Sequence, residues 1–481
     1  MLQNKDITKI SELEQEFTRR WCETDFIFRC LNSFSFSCLI KDFSAFKSKG
    51  YSFEWVLSIL VTLPFIQIGS VNKLSGMIAA KKDVFYRIKN NPSINWRNML
   101  WQFAMRFIKI TSENQEDQEN NQSSGKIRCL IFDDTTIAKT GKFIEKTSYV
   151  WDHVRHKSIL GFKLLLMGYW DGVSFIPLDF SLHRERGKNK KKPFGLKLKH
   201  YRKQYSKPRE LKTSAYERVR ETDASKIDIM LQMFKRAIKQ KLQIDYVLID
   251  SWFTCEQLIK AVSCAKDSTI HLIGMYKFAK TLFNFRNKER TYSQIRKSLG
   301  KPKRNRKTGL YYQQAIVTYK GQQIQLFFSR QGKRGKWKTI LTTDMSLSFA
   351  KMIETYQIRW TIEVFFKESK QLLNLGSCQS NDFDAHIAEQ TITMIQHTLL
   401  TLRFRYDKYE TKGLLFEQVK SQMLQARLNE RLWGLFIELL RCLVDLFDEV
   451  DEMQLFSAIV RDEEAVNKIS QLFLQGQKVA A

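Results

Sequence analysis

Tyr356, Arg359, Glu363 and Lys370 stand at intervals that acquire meaning if the stretch YQIRWTIEVFFKESK is helical. At roughly 100° per residue, Tyr356 lies about +20°, Arg359 about −40° and Lys370 about −20° from Glu363. One face then carries a phenol, a guanidinium, a carboxylate and an ammonium. A carboxylate between cations suits a metal ion with phosphates on either side, and hence metal-assisted cutting or joining of a nucleic-acid backbone. The same spacing also describes a solvated helix face laced by i,i+4 ion pairs. The chemical reading therefore needs further carboxylates.

Two stretches can supply them. IRCLIF (127–132) is a short apolar run leading into Asp133 and Asp134, and YVLID (246–250) ends in Asp250. Each reads as a buried strand with an acid at its end, although aspartates there also form ordinary turns. Three carboxylates in one place are costly without cations. Two divalent ions about 3.5–4 Å apart would neutralise them and clamp a phosphodiester. Hard oxygen ligands favour Mg²⁺ or Mn²⁺.

The elements around these residues predict an α/β chain. Apolar runs at 160–170 and 173–182 flank Asp171-Gly172, a hairpin signal. Residues 224–240 space Ile227, Met230, Leu231, Phe234 and Ile238 on one helix face. A helix at 255–266 and a strand at 271–277 follow the YVLID strand. Three antiparallel strands and then helix-linked parallel ones make a mixed sheet with helices on both faces. In that order the first and fourth strands are neighbours, which brings their terminal acids together. Residues 279–345 read as a β-rich insertion, and helix resumes near Ser348. The expected organisation is an N-terminal helical domain (1–111) with a DNA-binding role, a polar linker (112–126), a catalytic core in two parts (127–278 and 346–376) around the insertion, and a C-terminal helical region (377–481) suited to dimerisation.

Composition narrows the partner. Lys and Arg number 79 against 50 Asp and Glu, a net charge of +29, which points to a polyanion. The most apolar run, Val56 to Ile68, is too short to span a bilayer and contains Pro64, so it reads as a buried helix. The N-terminus lacks the apolar core of a secretory signal. The eight cysteines include no CxxC pair, which argues against a zinc site and for reduced thiols in a cytoplasmic protein.

With these residues in hand, the chain resembles the DDE transposases of the insertion-sequence-four family, whose signature Y-(2)-R-(3)-E-(6)-K is met by Tyr356, Arg359, Glu363 and Lys370. FDDTTI resembles the family's first aspartate motif and VLIDSWF its second, and the likeness covers about residues 127–376. It implies an RNase H-like core and Mg²⁺-dependent cut-and-paste transposition, with a homodimer on double-stranded DNA cutting the terminal inverted repeats of a bacterial insertion sequence and joining them to target DNA. The ligands it implies are Asp133, Asp250 and Glu363, with Asp134 the alternative first ligand. Asp133, Thr135 and Ile137 fit the family's Asp-x-Thr-x-apolar pattern better than the set one residue on. Arg359 and Lys370 would hold phosphates, and Tyr356 the strand end.

Residues 184–209 contain twelve Lys or Arg and one Glu. Without DNA this segment reads as a disordered basic loop, and on DNA Lys190, Lys191, Lys192, Arg202 and Lys203 would neutralise phosphates. Trp337 stands between lysines and reads as a packed residue. Two other functions share the features: an RNase H-like nuclease that does not join strands, and a non-catalytic DNA-binding relative of transposases. The latter predicts the loss of one or more carboxylates, and all are present.

Overall fold

The structure is a computed structural model that describes residues 31, 34–43, 50–66, 71, 81–116, 126–187, 189–265, 269–277, 280–406 and 410–421. Cys22, Cys30 and Cys442 and most of the C-terminal region expected to be helical lie outside the described residues. Among the described residues, four α-helices precede the sheet: α1 (Phe36–Ile40), α2 (Phe53–Thr62), α3 (Lys82–Lys89) and α4 (Trp96–Glu116). The apolar run does form the buried helix α2, started by Ser52 Oγ accepting from Trp55 N and followed by a 3₁₀ turn at Leu63–Ile66 that contains Pro64. Helix α4 continues to Glu116, into the segment read as linker.

Strands β1 (Cys129–Ala138), β2 (Ser148–Asp152), β3 (Lys157–Trp170) and β4 (Phe175–His183) follow. Next are α5 (Leu198–Tyr201), α6 (Ser214–Glu221), α7 (Lys226–Lys239), β5 (Tyr246–Ile249), α8 (Glu256–Ser263) and β6 (His271–Tyr276). The expected hairpin is β3–β4. Its connection spans Asp171–Ser174, with the Asp171 carboxylate accepting from Val173 N and Ser174 N. Strand β2 was not legible in the sequence. On α7 the buried residues are Ile229, Met230, Met233, Phe234 and Ala237; Ile227, Leu231 and Ile238 are only partly buried, so the apolar face is rotated from the expected one.

The strand order β4-β3-β1-β5-β6, antiparallel across the first three and parallel across the last, is an RNase H-like arrangement. Strands β1 and β5 are neighbours, as expected. Cys129–Phe132 and Val247–Ile249 are wholly buried, which explains their uninterrupted apolar runs. Helices α7 and α8 pack together against this sheet.

The insertion contributes β7 (Leu282–Phe285), β8 (Lys288–Thr291), α9 (Tyr292–Ser298), β9 (Lys303–Arg304), β10 (Tyr311–Tyr319), β11 (Gln322–Arg330) and β12 (Lys338–Thr342). It does not fold apart from the core. Strand β12 pairs antiparallel with β6, and β11, β10, β7 and β8 extend the same sheet. The chain then forms α10 (Phe349–Gln357), α11 (Trp360–Leu372) and α12 (Phe383–Tyr406). Helix α11 packs on β1 and β4. Helix α12 is buried along most of its length between β4 and helices α2, α3 and α4.

Candidate active site

The parallel register positions the first two acids. Phe132 pairs with Ile249, so Asp133 and Asp250 are the next residues along two adjacent strands, which run about 4.8 Å apart. Strand β1 does not end at its aspartates. It continues beside β3 to Ala138, while β5 stops, leaving one edge of β1 open from Asp133 onward. The burial pattern records the change: Cys129–Phe132 are buried and Asp133–Thr136 half-buried.

Strand alternation then separates Asp133 from Asp134. Asp134 Oδ2 accepts from Lys226 Nζ (2.6 Å), at the start of α7. Asp133 Oδ2 accepts from Arg359 Nη1 (3.0 Å), and Arg359 Nη2 donates to Glu363 Oε1 (2.6 Å). Of the two candidates, Asp133 is the one that joins Glu363 through a shared guanidinium. Asp250 uses Oδ1 to accept from Trp252 N (2.8 Å) and Phe253 N (3.2 Å), so it also forms the turn that follows its strand.

The signature residues do not lie on one continuous helix. Tyr356 is in α10, and Ile358 and Arg359 form a tight turn before α11, with i−3 bonds from Arg359 N to Tyr356 O (3.1 Å) and from Thr361 N to Ile358 O (3.0 Å). Arg359 is the N-cap residue of α11, but its side chain makes no capping bond and reaches the carboxylates instead. Glu363 lies in the first turn of α11, where the helix dipole favours its charge. Tyr356 donates its hydroxyl to Ile249 O (3.0 Å), and the Arg359 guanidinium lies 5.9 Å from its ring centre. Lys370 Nζ donates to Thr135 Oγ1 (2.7 Å) and Thr136 O (3.2 Å) on the open edge of β1.

These contacts decide the electrostatics. Burial, followed by the charge of Asp250, pushes the Asp133 carboxyl up to about 7, against the opposing pull of Arg359. Burial also raises the Tyr356 phenol to about 12. It works against the Arg359 charge too, but Tyr356, Asp133 and Glu363 outweigh it and hold that group above its ordinary value.

Among the described residues, no three His, Cys, Asp or Glu side chains stand close enough together to enclose a metal ion. Asp133, Asp250 and Glu363 converge on one region, but the cation between Asp133 and Glu363 is Arg359. The donor types are hard carboxylate oxygens, and the raised Asp133 carboxyl marks a place where a further cation is electrostatically favoured. Carboxylate oxygens are the donors that a hard divalent ion takes, and in this structure Arg359 occupies the place between two of them.

Residues 215–399 match the family model of the transposase DDE domain. The match covers 185 of the 481 residues and is a similarity to a DNA-transposition module of mobile elements. The matched stretch includes Asp250, Tyr356, Arg359, Glu363 and Lys370 and starts after Asp133. No curated protein matches the chain. Among the described residues, no helix is long and apolar enough to cross a membrane.

The basic segment before the matched stretch departs from its expected disorder. Apart from Lys188, residues 184–209 are described. Phe194 is buried beneath the Arg184 guanidinium, which lies 3.7 Å from its ring centre. Arg209 is spent on Glu145 (2.8 Å) and Asp384 (3.1 Å), and Lys207 on Asp382 (2.7 Å). Lys190, Lys191, Lys192, Arg202 and Lys203 are exposed, and no contact joins them to the carboxylates. Trp337 packs, as expected, with Arg330 and Arg296 over its ring at 4.5 and 4.9 Å.

Two residues beside the site escaped sequence reasoning. Lys226 neutralises Asp134 and lies 5.1 Å from the ring centre of Trp252, which is 45% exposed two positions after Asp250. Thr135 holds Lys370. Its place in the Asp-x-Thr pattern was visible, and its partner was not.

Proposed function

We propose that this chain is a DNA transposase of the insertion-sequence-four family. In this reading it binds the terminal inverted repeats of its element as a dimer, cuts there and joins the freed ends to target DNA. The observation that carries the reading is the meeting of Asp133 and Asp250 at the end of the β1–β5 pair, with Arg359 joining Asp133 to Glu363, in a chain that matches a transposase DDE domain.

Asp133, Asp250 and Glu363 would hold the divalent metal, Mg²⁺ or Mn²⁺, with Asp134 withdrawn by its bond to Lys226. That metal would supply an activated water and neutralise charge at the scissile phosphodiester. Arg359, released from the carboxylates, holds a phosphate, and Lys370 on the open edge of β1 holds another. Tyr356 positions Arg359 and ties it to the end of β5 through Ile249 O. The 3′-hydroxyl left by the first cut is the nucleophile for joining. Lys190, Lys191, Lys192, Arg202 and Lys203 neutralise the DNA backbone away from the chemistry.

The test is a plasmid carrying the DNA that flanks this gene, incubated with the protein and Mg²⁺. The wild type should cut and join. Glu363→Gln should lose both by at least ~100-fold, since loss of a ligand exceeds the 10–100-fold cost of disturbing a ligand's support, while binding of the flanking DNA persists. Undiminished cleavage by Glu363→Gln would overturn the assignment. Cleavage without joined products would favour the nuclease.

A further inference from the structure

Lys163 is the only charge in the strand-forming run LGFKLLLMGYW and lies in the interior of β3, paired with Thr136 on one side and His183 on the other. It is 4% exposed. No hydrogen bond or ion pair to its ammonium is present among the described residues, in contrast to Lys207, Lys226 and Lys370, all of which have partners. Its countercharge is Asp152, which acts on it only through space. Burying an ammonium without a direct hydrogen-bonded partner is unfavourable, so its place in the fold favours a further anion.

The ammonium's surroundings offer room for one. Lys163 lines a cavity of about 550 Å³ beside the second half of β1, shared with Thr135, Lys370, the β2–β3 turn at Asp152–Arg155 and the loop from α11 to α12. Two acids also line it, and both are engaged. Asp134 is paired with Lys226, and Asp152 Oδ1 accepts from Val154 N (2.9 Å) and Arg155 N (2.8 Å). Lys163, Lys370 and Arg155 thus face one carboxylate not already matched by a cation. The loop wall is firm: Lys139 Nζ donates to Gly376 O (2.7 Å) and Cys378 O (2.5 Å). At Gly376, φ is +88° and a Cβ would approach Ile137 to 2.8 Å, so the close approach of loop to strand requires glycine.

We propose that this cavity is a second DNA-backbone site, in which Lys163 and Arg155 bind a phosphate of the strand that passes Lys370 on the side away from the carboxylates. The inference rests on the reading of the chain as a DNA-binding transposase and adds a subsite to it. DNA is favoured over a free anion because Lys370 belongs both to this cavity and to the helix that carries Glu363. A backbone held beside Glu363 therefore continues into it.

The experiment uses the full chain and a 30-base-pair duplex of arbitrary sequence, with affinity measured over a range of KCl concentrations. Lys163→Met should bind about 5–10-fold more weakly, and its slope of log affinity against log salt should fall by about 1. Lys163→Arg should retain most of the affinity. Lys163→Met should also melt no lower than the wild type, because it removes a buried charge that makes no hydrogen bond or ion pair, at nearly constant volume. Arg155→Gln, in an exposed turn, should weaken binding 2–5-fold whatever happens in the core. Unchanged affinity and slope in both neutral variants, while the wild type binds DNA, would overturn the subsite and leave the proposed function standing. A wild type that does not bind the duplex would overturn both. Lys163-dependent stabilisation by inorganic phosphate, with duplex affinity unaffected by the variants, would replace DNA with a free anion and overturn the inference.

Discussion

Arg359 is the residue on which the candidate site turns. It holds Asp133 and Glu363 at once, beside an Asp250 charge that burial makes costly to Asp133. A guanidinium so placed competes with any metal for the same oxygens. Arg359→Ala should therefore destabilise the protein in chelator, by about 1–3 kcal/mol for removal of one partner from half-buried charge-assisted bonds. Mg²⁺ should recover more stability in the variant than in the wild type, because the variant offers the carboxylates no internal cation. Urea unfolding with and without Mg²⁺ measures this. An equal Mg²⁺ response in the two proteins would show that guanidinium and metal do not compete. None of this was visible in the spacing from Tyr356 to Lys370. That spacing placed the four residues together, but the tight turn at Ile358–Arg359 and the reach of Arg359 to Asp133 depend on β1, which is 226 residues away.

At the scale of elements, helices that are distant in the chain are locked to the core by buried charge. Arg97 on α4 donates to Asp179 on β4 (3.1 Å) and to both oxygens of Glu221 on α6 (2.6 and 2.7 Å). Asp179 is fully buried and also accepts from Arg236 of α7 (2.8 Å). Burial disfavours its charge, but Arg97, Arg236 and Arg218 outweigh this and keep its carboxyl below the ordinary range. Arg97→Met should cost on the order of 3 kcal/mol, the usual consequence of breaking a buried network from one side. Denaturant unfolding would report it, and a cost below ~0.5 kcal/mol would show that α4 docks by apolar packing alone. The same kind of contact explains the ordered basic segment. Its composition predicts disorder, but Phe194 finds a buried seat and Lys207 and Arg209 find acids on α12 and Glu145, partners that composition cannot reveal.

At the scale of the molecule, three histidines are buried neutral. Burial holds His183 and His397 down at about 4, and His386 well below its ordinary value. Their folded pKa values lie under the unfolded value of about 6.5, so the unfolded chain takes up protons first. Stability should therefore fall as pH drops from about 6.5 towards 4, by about 1.4 kcal/mol per pH unit for each fully engaged group. Asp133 works the other way: with a folded value of about 7 it favours the folded state as pH falls from there towards 3.8. The histidines outnumber it, so melting temperature should decline between pH 6.5 and 4.5. His183→Gln should flatten the decline by one group's share, and an unchanged slope would remove His183 from the balance.

The sequence by itself determined the local chemistry: apolar runs that must be buried strands, acids directly after those runs, the spacing from Tyr356 to Lys370 and an excess of positive charge. These follow from periodicity and residue type, which act over a few residues. Only the tertiary structure decided that Asp133 and not Asp134 is joined to Glu363 through Arg359, because that depends on which aspartate faces Arg359 and which faces Lys226. It also decided that the β-rich insertion continues the core sheet through β12 and β6, and that Lys163 ends in a cavity beside Lys370. Strand register and helix docking are set by contacts between residues far apart in the chain, and no local pattern encodes the partner.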